Sequence, residues 1–99
     1  MNENFFLIEH PIIKRDVTIL RDINTDTETF RAALQRVSNI LAVELSKEFK
    51  LTDTEVETPL EKTQGAKLTH DVILVPVLRA GLGMVNGFLQ IIPEAKVGH

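Results

Sequence analysis

The chain of 99 residues is long enough for one small domain, and its 43% hydrophobic and 25% charged residues are typical of a globular protein. Its net charge of -3 argues against general attraction to nucleic acid or membrane surfaces, and the absence of cysteine excludes disulfides and thiolate metal sites. The N-terminus lacks the basic start and apolar core of a signal peptide, and no apolar run approaches the roughly 20 residues of a membrane helix. We therefore expect a cytoplasmic protein that binds neither nucleic acid nor membranes.

The beginning of the chain predicts a short strand and then a helix. Asn4–Ile8 is a small apolar run that indicates the strand. Pro11 stands where a first helical turn tolerates proline, and the apolar residues after it recur at helical spacing to about Arg21. We interpret His10 as the helix-entry residue, because lone histidines seldom act as ligands.

A long second helix is predicted for Asp26–Glu48. Apolar residues recur at helical spacing through this range, and Thr25 followed by Glu28 has the spacing of a capping box. The polar face of this helix is expected to carry Arg31, Gln35, Ser38 and Lys47. Glu44 either interrupts the apolar stripe or flanks it and finds a partner.

The next segment is rich in threonine and charge. Thr54–Thr58 and Lys67–Thr69 indicate two short strands, with a proline and a glycine between them. Three of its acids, Glu55, Glu57 and Glu61, are expected on a solvated strand face rather than in a metal site.

The apolar run Val72–Val77, "VILVPV", predicts a strand that is covered on both faces, as in a parallel sheet. Pro76 removes one ladder donor, so it should lie near the end of the strand or on an edge. Helical spacing resumes over Leu82–Ile92, and "AKVGH" indicates the start of a second strand.

The loop between this strand and this helix carries the chemistry of the sequence. Arg79 offers a planar fork of donors suited to phosphate oxygens, and Gly81 and Gly83 allow the backbone to approach a ligand closely. The helix that follows adds unpaired N–H groups and partial positive charge. From the residues alone, an anion-binding loop and a plain turn with a surface arginine have about equal weight.

The stretch "VPVLRAGLGM" closely resembles the first signature of the uracil phosphoribosyltransferases. Other segments agree with that family in order and spacing. They are "EHPIIKRDVTILRD", "TFRAALQRVSNILAVE", "ETPL" and "IIPEAKVGH". The resemblance covers the whole chain, and it is most specific from Pro76 to Met84.

The resemblance implies an α/β fold, the N-terminal part of a phosphoribosyltransferase-type parallel sheet with helices. It implies that uracil and phosphoribosyl diphosphate are converted to uridine monophosphate and diphosphate, with Mg2+ bound alongside the diphosphate. Arg79, Ala80 and Gly81 match the diphosphate-binding loop of the family. The resemblance assigns no catalytic residue and no protein metal ligand to this chain.

Family members are roughly twice this length, so we interpret residues 1–99 as a single partial domain, truncated and inactive alone. Residues 1–70 form its N-terminal helices and strands, and residues 71–99 its first core strand, diphosphate loop and helix. The resemblance also implies a homo-oligomer, and GTP is a candidate effector. Two alternatives stay open: a non-catalytic module that binds a phosphorylated ligand, and an interaction protein that uses the long helix.

Isolated ionisable residues are given their ordinary structural interpretations. The three histidines, His10, His70 and His99, are far apart and have no metal-binding spacing. The basic residues of the first helix are expected on a solvated face, although contact with a phosphate or a nucleotide effector is the alternative. They are Lys14, Arg15 and Arg21.

Overall fold

A computed structural model of the chain describes residues 9–76 and 81–98. The helices are α1 (Pro11–Arg21), α2 (Thr27–Leu45) and α3 (Gly81–Ile91), and a 3-10 turn, Ser46–Glu48, extends α2. The strands are β1 (Leu51–Glu57), β2 (Lys62–Leu68), β3 (Ile73–Leu74) and β4 (Lys96–Val97). This combination of helices with a parallel strand pair confirms the α/β class. The strand predicted for Asn4–Ile8 lies outside the described residues.

Helix α1 begins and ends where the sequence predicts. The Nδ1 atom of His10 accepts a hydrogen bond from the Ile12 N–H at 3.1 Å, so His10 is the N-cap residue. Pro11 is the first helical residue, where its missing N–H costs no hydrogen bond. The interpretation of His10 as a helix-entry residue is confirmed.

The start of α2 differs from the predicted capping box. Asp26 is the N-cap residue, and its Oδ1 atom accepts from the Thr29 N–H at 2.7 Å. This hydrogen bond from Thr29 holds the pKa of Asp26 below its usual value. The Thr25 hydroxyl instead donates to the Ile19 carbonyl oxygen at 2.7 Å. The capping-box prediction was wrong because Thr25 is bonded to the end of α1, while Asp26 lies one residue closer to the helix.

Ser38 is buried, although the periodicity places it on the polar face of α2. Its hydroxyl donates to the Leu34 carbonyl oxygen at 2.8 Å, so no polar group is left unpaired. The small side chain then lies under α3. Glu44, in contrast, flanks the apolar stripe as one of the two alternatives predicted, and it pairs with Lys47 at 2.8 Å.

Strands β1 and β2 form an antiparallel hairpin whose residues are mostly exposed on both faces. Each strand has seven residues, longer than the two short strands predicted. Because threonine and charged residues occupy both faces, the apolar alternation that reveals a half-buried strand is missing. The turn is closed by Thr58, whose hydroxyl donates to the Glu61 carbonyl oxygen and accepts from the Glu61 N–H. The three acids singled out in the sequence, Glu55, Glu57 and Glu61, are exposed as predicted, although Glu61 lies in the turn rather than on a strand.

Strand β3 is shorter and more exposed than the predicted strand Val72–Val77. It contains Ile73 and Leu74 only, and Ile73 and Val75 remain 62% and 63% exposed. The prediction of a strand covered on both faces was therefore wrong for this chain. Its physical reason is that β3 pairs with β4 alone among the described residues, and alternate side chains meet no second layer. Val77 lies outside the described residues.

Strand β4 pairs with β3 in parallel, which confirms the second strand indicated by "AKVGH". The Lys96 N–H donates to the Val72 carbonyl oxygen and the Gly98 N–H to the Leu74 carbonyl oxygen, both at 2.8 Å. Helix α3 connects the two strands and confirms the predicted helix to within one residue at each end. No helix in the described ranges, 9–76 and 81–98, is long and apolar enough to cross a membrane.

Candidate substrate-binding site

The candidate site lies between β3 and α3 in the chain. Arg79 and Ala80, two of the three residues singled out in the sequence, fall outside the described residues. Gly81, the third, is the first residue of α3. The structure therefore describes the two elements that flank the loop, and the placement of Arg79 stays a prediction.

The topology brings one end of each of these elements to the same edge. Because β3 and β4 are parallel and α3 crosses between them, the carboxyl end of β3 leads into the loop and the N-terminus of α3 leaves it. The first turn of a helix has N–H groups without helical partners and a partial positive charge. This edge of the β3–α3–β4 unit is therefore suited to an anion.

Helix α3 packs very closely on α2 through two glycines one turn apart. A Cβ atom at Gly83 would lie 2.6 Å from Leu34 Cδ2, so the end of the Leu34 side chain would have to shift. A Cβ atom at Gly87 would collide with Ser38 Cβ and lie 3.0 Å from the Gln35 carbonyl oxygen. Gly87 is buried, so the absence of a side chain there allows the two backbones to approach.

Polar side chains join the same two helices beside this contact. The Asn39 Nδ2 atom donates to the Gly87 carbonyl oxygen at 2.6 Å and to Gln90 Oε1 at 3.1 Å. The Gln35 Nε2 atom donates to the same Gln90 oxygen at 2.9 Å. We refer to Gln35, Asn39, Gly87 and Gln90 as the α2–α3 clamp. Sequence reasoning missed it; the glycine pair in α3 was a signal of close packing, but its partners on α2 cannot be read from the sequence.

The basic residues of α1 take the helix-surface roles expected of them. Lys14 pairs with Glu9 at 2.7 Å, and Arg15 donates to Asp16 at 3.2 Å. Arg21 is exposed. The partners of Lys14 and Arg15 among the described residues, Glu9 and Asp16, lie beside or within α1, and no described hydrogen bond or ion pair joins these basic residues to α3.

No metal centre forms in the part of the chain that the structure describes, since no three acidic or histidine side chains converge there. His70 is exposed and lines an open cleft of about 440 Å³ between the end of α2, the base of the hairpin and β3. Phe49 and Val72 are among its apolar walls. His99 lies outside the described residues.

Comparison with known proteins identifies the family. The family model described as uracil phosphoribosyltransferase matches residues 7–99. The chain belongs to the uracil phosphoribosyltransferase family. The match includes the "VPVLRAGLGM" signature, so the resemblance stated from the sequence is confirmed.

Individual relatives have the same name as this family. A uracil phosphoribosyltransferase of Finegoldia magna is 49% identical over 94 residues, and one of Salinibacter ruber is 45% identical over 97 residues. These alignments cover 94% and 98% of the chain but 45% and 46% of the relatives. The structure of the AQ2163 protein from Aquifex aeolicus superposes with a TM-score of 0.87 at 35% identity, covering 94% of the chain and 45% of that protein. The chain thus spans about half the length of the two relatives and of the AQ2163 protein.

Proposed function

We propose that this chain supplies the diphosphate-binding part of an enzyme that transfers a phosphoribosyl group to uracil. In that reaction a uracil nitrogen loses its proton to solvent and forms a bond to the anomeric carbon of phosphoribosyl diphosphate, and the bond from that carbon to the diphosphate breaks. The products are uridine monophosphate and diphosphate, as in pyrimidine salvage. The observation that carries the proposal is the β3–α3–β4 unit, whose parallel strands and helix N-terminus flank the family signature in the chain.

The three loop residues have distinct roles in this proposal. Negative charge accumulates on the leaving diphosphate as the bond to carbon breaks. The guanidinium of Arg79 would donate to those oxygens, and it stays protonated at any physiological pH. Ala80 and Gly81 would present backbone N–H groups without a bulky side chain between them and the ligand.

Magnesium enters the proposal with the substrate. The described residues do not form a set of metal ligands, so they do not fit a resident magnesium ion. We propose that Mg2+ reaches the site bound to diphosphate oxygens, and we assign no step to this chain through the metal.

The remaining parts of the active site belong to the rest of the family fold. We propose that the uracil pocket and the cradle for the ribose 5-phosphate come from the half of the relatives that this chain does not match. Ile73 in β3 and Val75 just after the strand have exposed apolar side chains. They support this proposal, because a core strand with such side chains requires a covering layer.

A homo-oligomer is the assembly that we propose. The hairpin of β1 and β2 carries exposed apolar residues, with Leu51 63% and Leu60 96% exposed. A hairpin of this kind is stable only when further strands or another surface cover it. The cytoplasm is the proposed compartment. GTP stays a candidate effector, although no contact among the described residues supports it.

A fusion protein tests the proposed function. Residues 1–99 would be joined to the C-terminal part of the Finegoldia magna relative that the alignment does not cover, and the product assayed with radiolabelled uracil, phosphoribosyl diphosphate and Mg2+. We expect uridine monophosphate to form. The intact relative is the positive control, and its C-terminal part alone is the negative control. A folded fusion that binds phosphoribosyl diphosphate but forms no uridine monophosphate would favour the non-catalytic binding module instead.

A further inference from the structure

The α2–α3 clamp, Gln35, Asn39, Gly87 and Gln90, adds directed hydrogen bonds to the glycine contact. The contact of Gly83 and Gly87 with Leu34 and Ser38 sets how closely the helices approach. Hydrogen bonds weaken steeply when donor and acceptor lose their alignment. The clamp therefore selects one axial position of α3 on α2.

Asn39 is the central residue of this clamp. The Gly87 carbonyl oxygen can only accept, so Asn39 must present its amide nitrogen to it, at 2.6 Å. The second proton of that nitrogen is directed to Gln90 Oε1 at 3.1 Å. One side chain of α2 thus bonds both the backbone and a side chain of α3, and Gln35 adds one further bond to Gln90.

The effect of this clamp extends to the start of α3. Gly87 lies six residues after Gly81, which corresponds to about 9 Å along a helix that is rigid on this scale. A displacement of α3 at Gly87 therefore moves its first turn by a similar distance. A misplacement of about 1 Å in an active site can reduce the rate by roughly 10²-fold.

We propose that Asn39 is a positioning residue for the diphosphate-binding end of α3. It does not touch substrate; it holds the helix whose first turn, under the proposed function, binds the leaving diphosphate. The inference rests on that proposed function, and it adds that a residue on α2 determines how well phosphoribosyl diphosphate, and not uracil, is bound.

The test uses the active fusion protein and the variant Asn39→Ala. We expect KM for phosphoribosyl diphosphate to rise by about tenfold and kcat to fall, while KM for uracil changes less than about twofold. Asn39→Asp keeps the size of the side chain but directs a carboxylate at the Gly87 carbonyl oxygen, so its effect should be larger. If Asn39→Ala does not fold, Gln90→Ala decides the question, because it removes two of the three hydrogen bonds and leaves Asn39 bonded to Gly87.

The control is Asp16→Asn, which weakens the contact between α1 and α2 and leaves α3 untouched. It should lower Tm without a selective change in either KM. The proposal is overturned if KM for phosphoribosyl diphosphate in the folded variants of Asn39 or Gln90 stays within about twofold of the parent. It is also overturned if both KM values change alike, in proportion to the loss of Tm. Failure of the proposed function is distinct, because the unmutated fusion would then form no uridine monophosphate, and this proposal would be lost with it.

Discussion

Arg36 on α2 holds the carboxylate of Asp16 on α1 by two hydrogen bonds, Nε to Oδ2 and Nη2 to Oδ1, each 2.9 Å long. Asp16 is fully buried, and Arg15 donates to the same carboxylate at 3.2 Å. The hydrogen bond from Arg36 lowers the pKa of Asp16 below its usual value of 3.8, more than burial raises it, and Arg15 contributes in the same direction. This ion pair is the polar link between the first two helices.

Asp16→Asn should reduce the free energy of unfolding by about 1–3 kcal/mol at pH 7, because Arg36 loses its charged acceptor. The folded-state pKa of Asp16 lies below the unfolded-state pKa, so this stabilisation is present above about pH 4 and is lost as the pH falls through the folded-state value. Urea denaturation at pH values from about 2 to 8 should therefore show the free energies of unfolding of the parent and of Asp16→Asn converging at the acidic end. Glu28→Gln, at an exposed position, is the control. A difference that persists unchanged at the lowest pH would show that charge is not the cause.

Gly87→Ala should destabilise the contact between α2 and α3 by about 1–3 kcal/mol, because the new Cβ atom meets Ser38 Cβ. This cost exceeds the gain of up to about 1 kcal/mol that alanine brings to a helix. Adding Ser38→Gly removes the colliding atom and should restore part of the loss, although the Gln35 carbonyl oxygen stays close. Thermal denaturation measures both effects. Asn86→Ala, at the neighbouring exposed position, should be nearly neutral, and an equal loss there would argue against the collision.

Arg79→Ala in the fusion protein should reduce kcat by about 10²–10³-fold, the usual effect of removing one donor aimed at developing charge. Binding of phosphoribosyl diphosphate should weaken far more than binding of uracil. Arg79→Lys keeps the charge but not the planar fork, so its activity should be intermediate. Arg31→Ala, an exposed arginine of α2, is the matched control. Steady-state kinetics with unchanged efficiency would remove Arg79 from the site.

Leu60→Ser should weaken self-association, because Leu60 lies at the tip of the hairpin and is 96% exposed in the single chain. Light scattering of the fusion protein across a concentration series would show a lower average mass. Ile23→Ser is the matched control, since Ile23 is 95% exposed in the connection between α1 and α2. A monomeric parent protein would contradict the proposed homo-oligomer, and equal effects of the two variants would contradict a role for the hairpin.

Residues 1–99 made alone should form no uridine monophosphate. The chain matches about half of its relatives, and holding two reactants together can contribute roughly 7–11 kcal/mol to lowering a barrier. The assay with radiolabelled uracil, phosphoribosyl diphosphate and Mg2+ checks this directly. A second assay, with the separate C-terminal part of the relative added, tests whether the two parts form uridine monophosphate without being joined. Turnover by residues 1–99 near that of the fusion protein would show that the uracil pocket and the cradle for the ribose 5-phosphate were wrongly assigned to the other half of the relatives.

The sequence by itself determined the three helices and the order of strand, loop and helix around the candidate site. Pro11 and the helical spacing of apolar residues act within one or two turns, so they can be read from neighbouring positions. The loop residues Arg79 to Gly81 were singled out from their chemistry and from the family signature that contains them, and their role stays a prediction. For the helices, local interactions and tertiary structure require the same conformation.

Only the tertiary structure decided which polar residues enter the interior and how far the strands extend. Asp16 and Arg36 are 20 positions apart, and Asn39 and Gly87 are 48 apart, so no local pattern connects them. Ser38 is buried because α3 lies over it, while Ile73 stays exposed because no second layer from residues 9–76 or 81–98 covers β3. Burial is a property of what packs against a residue, and that partner is supplied by distant parts of the chain.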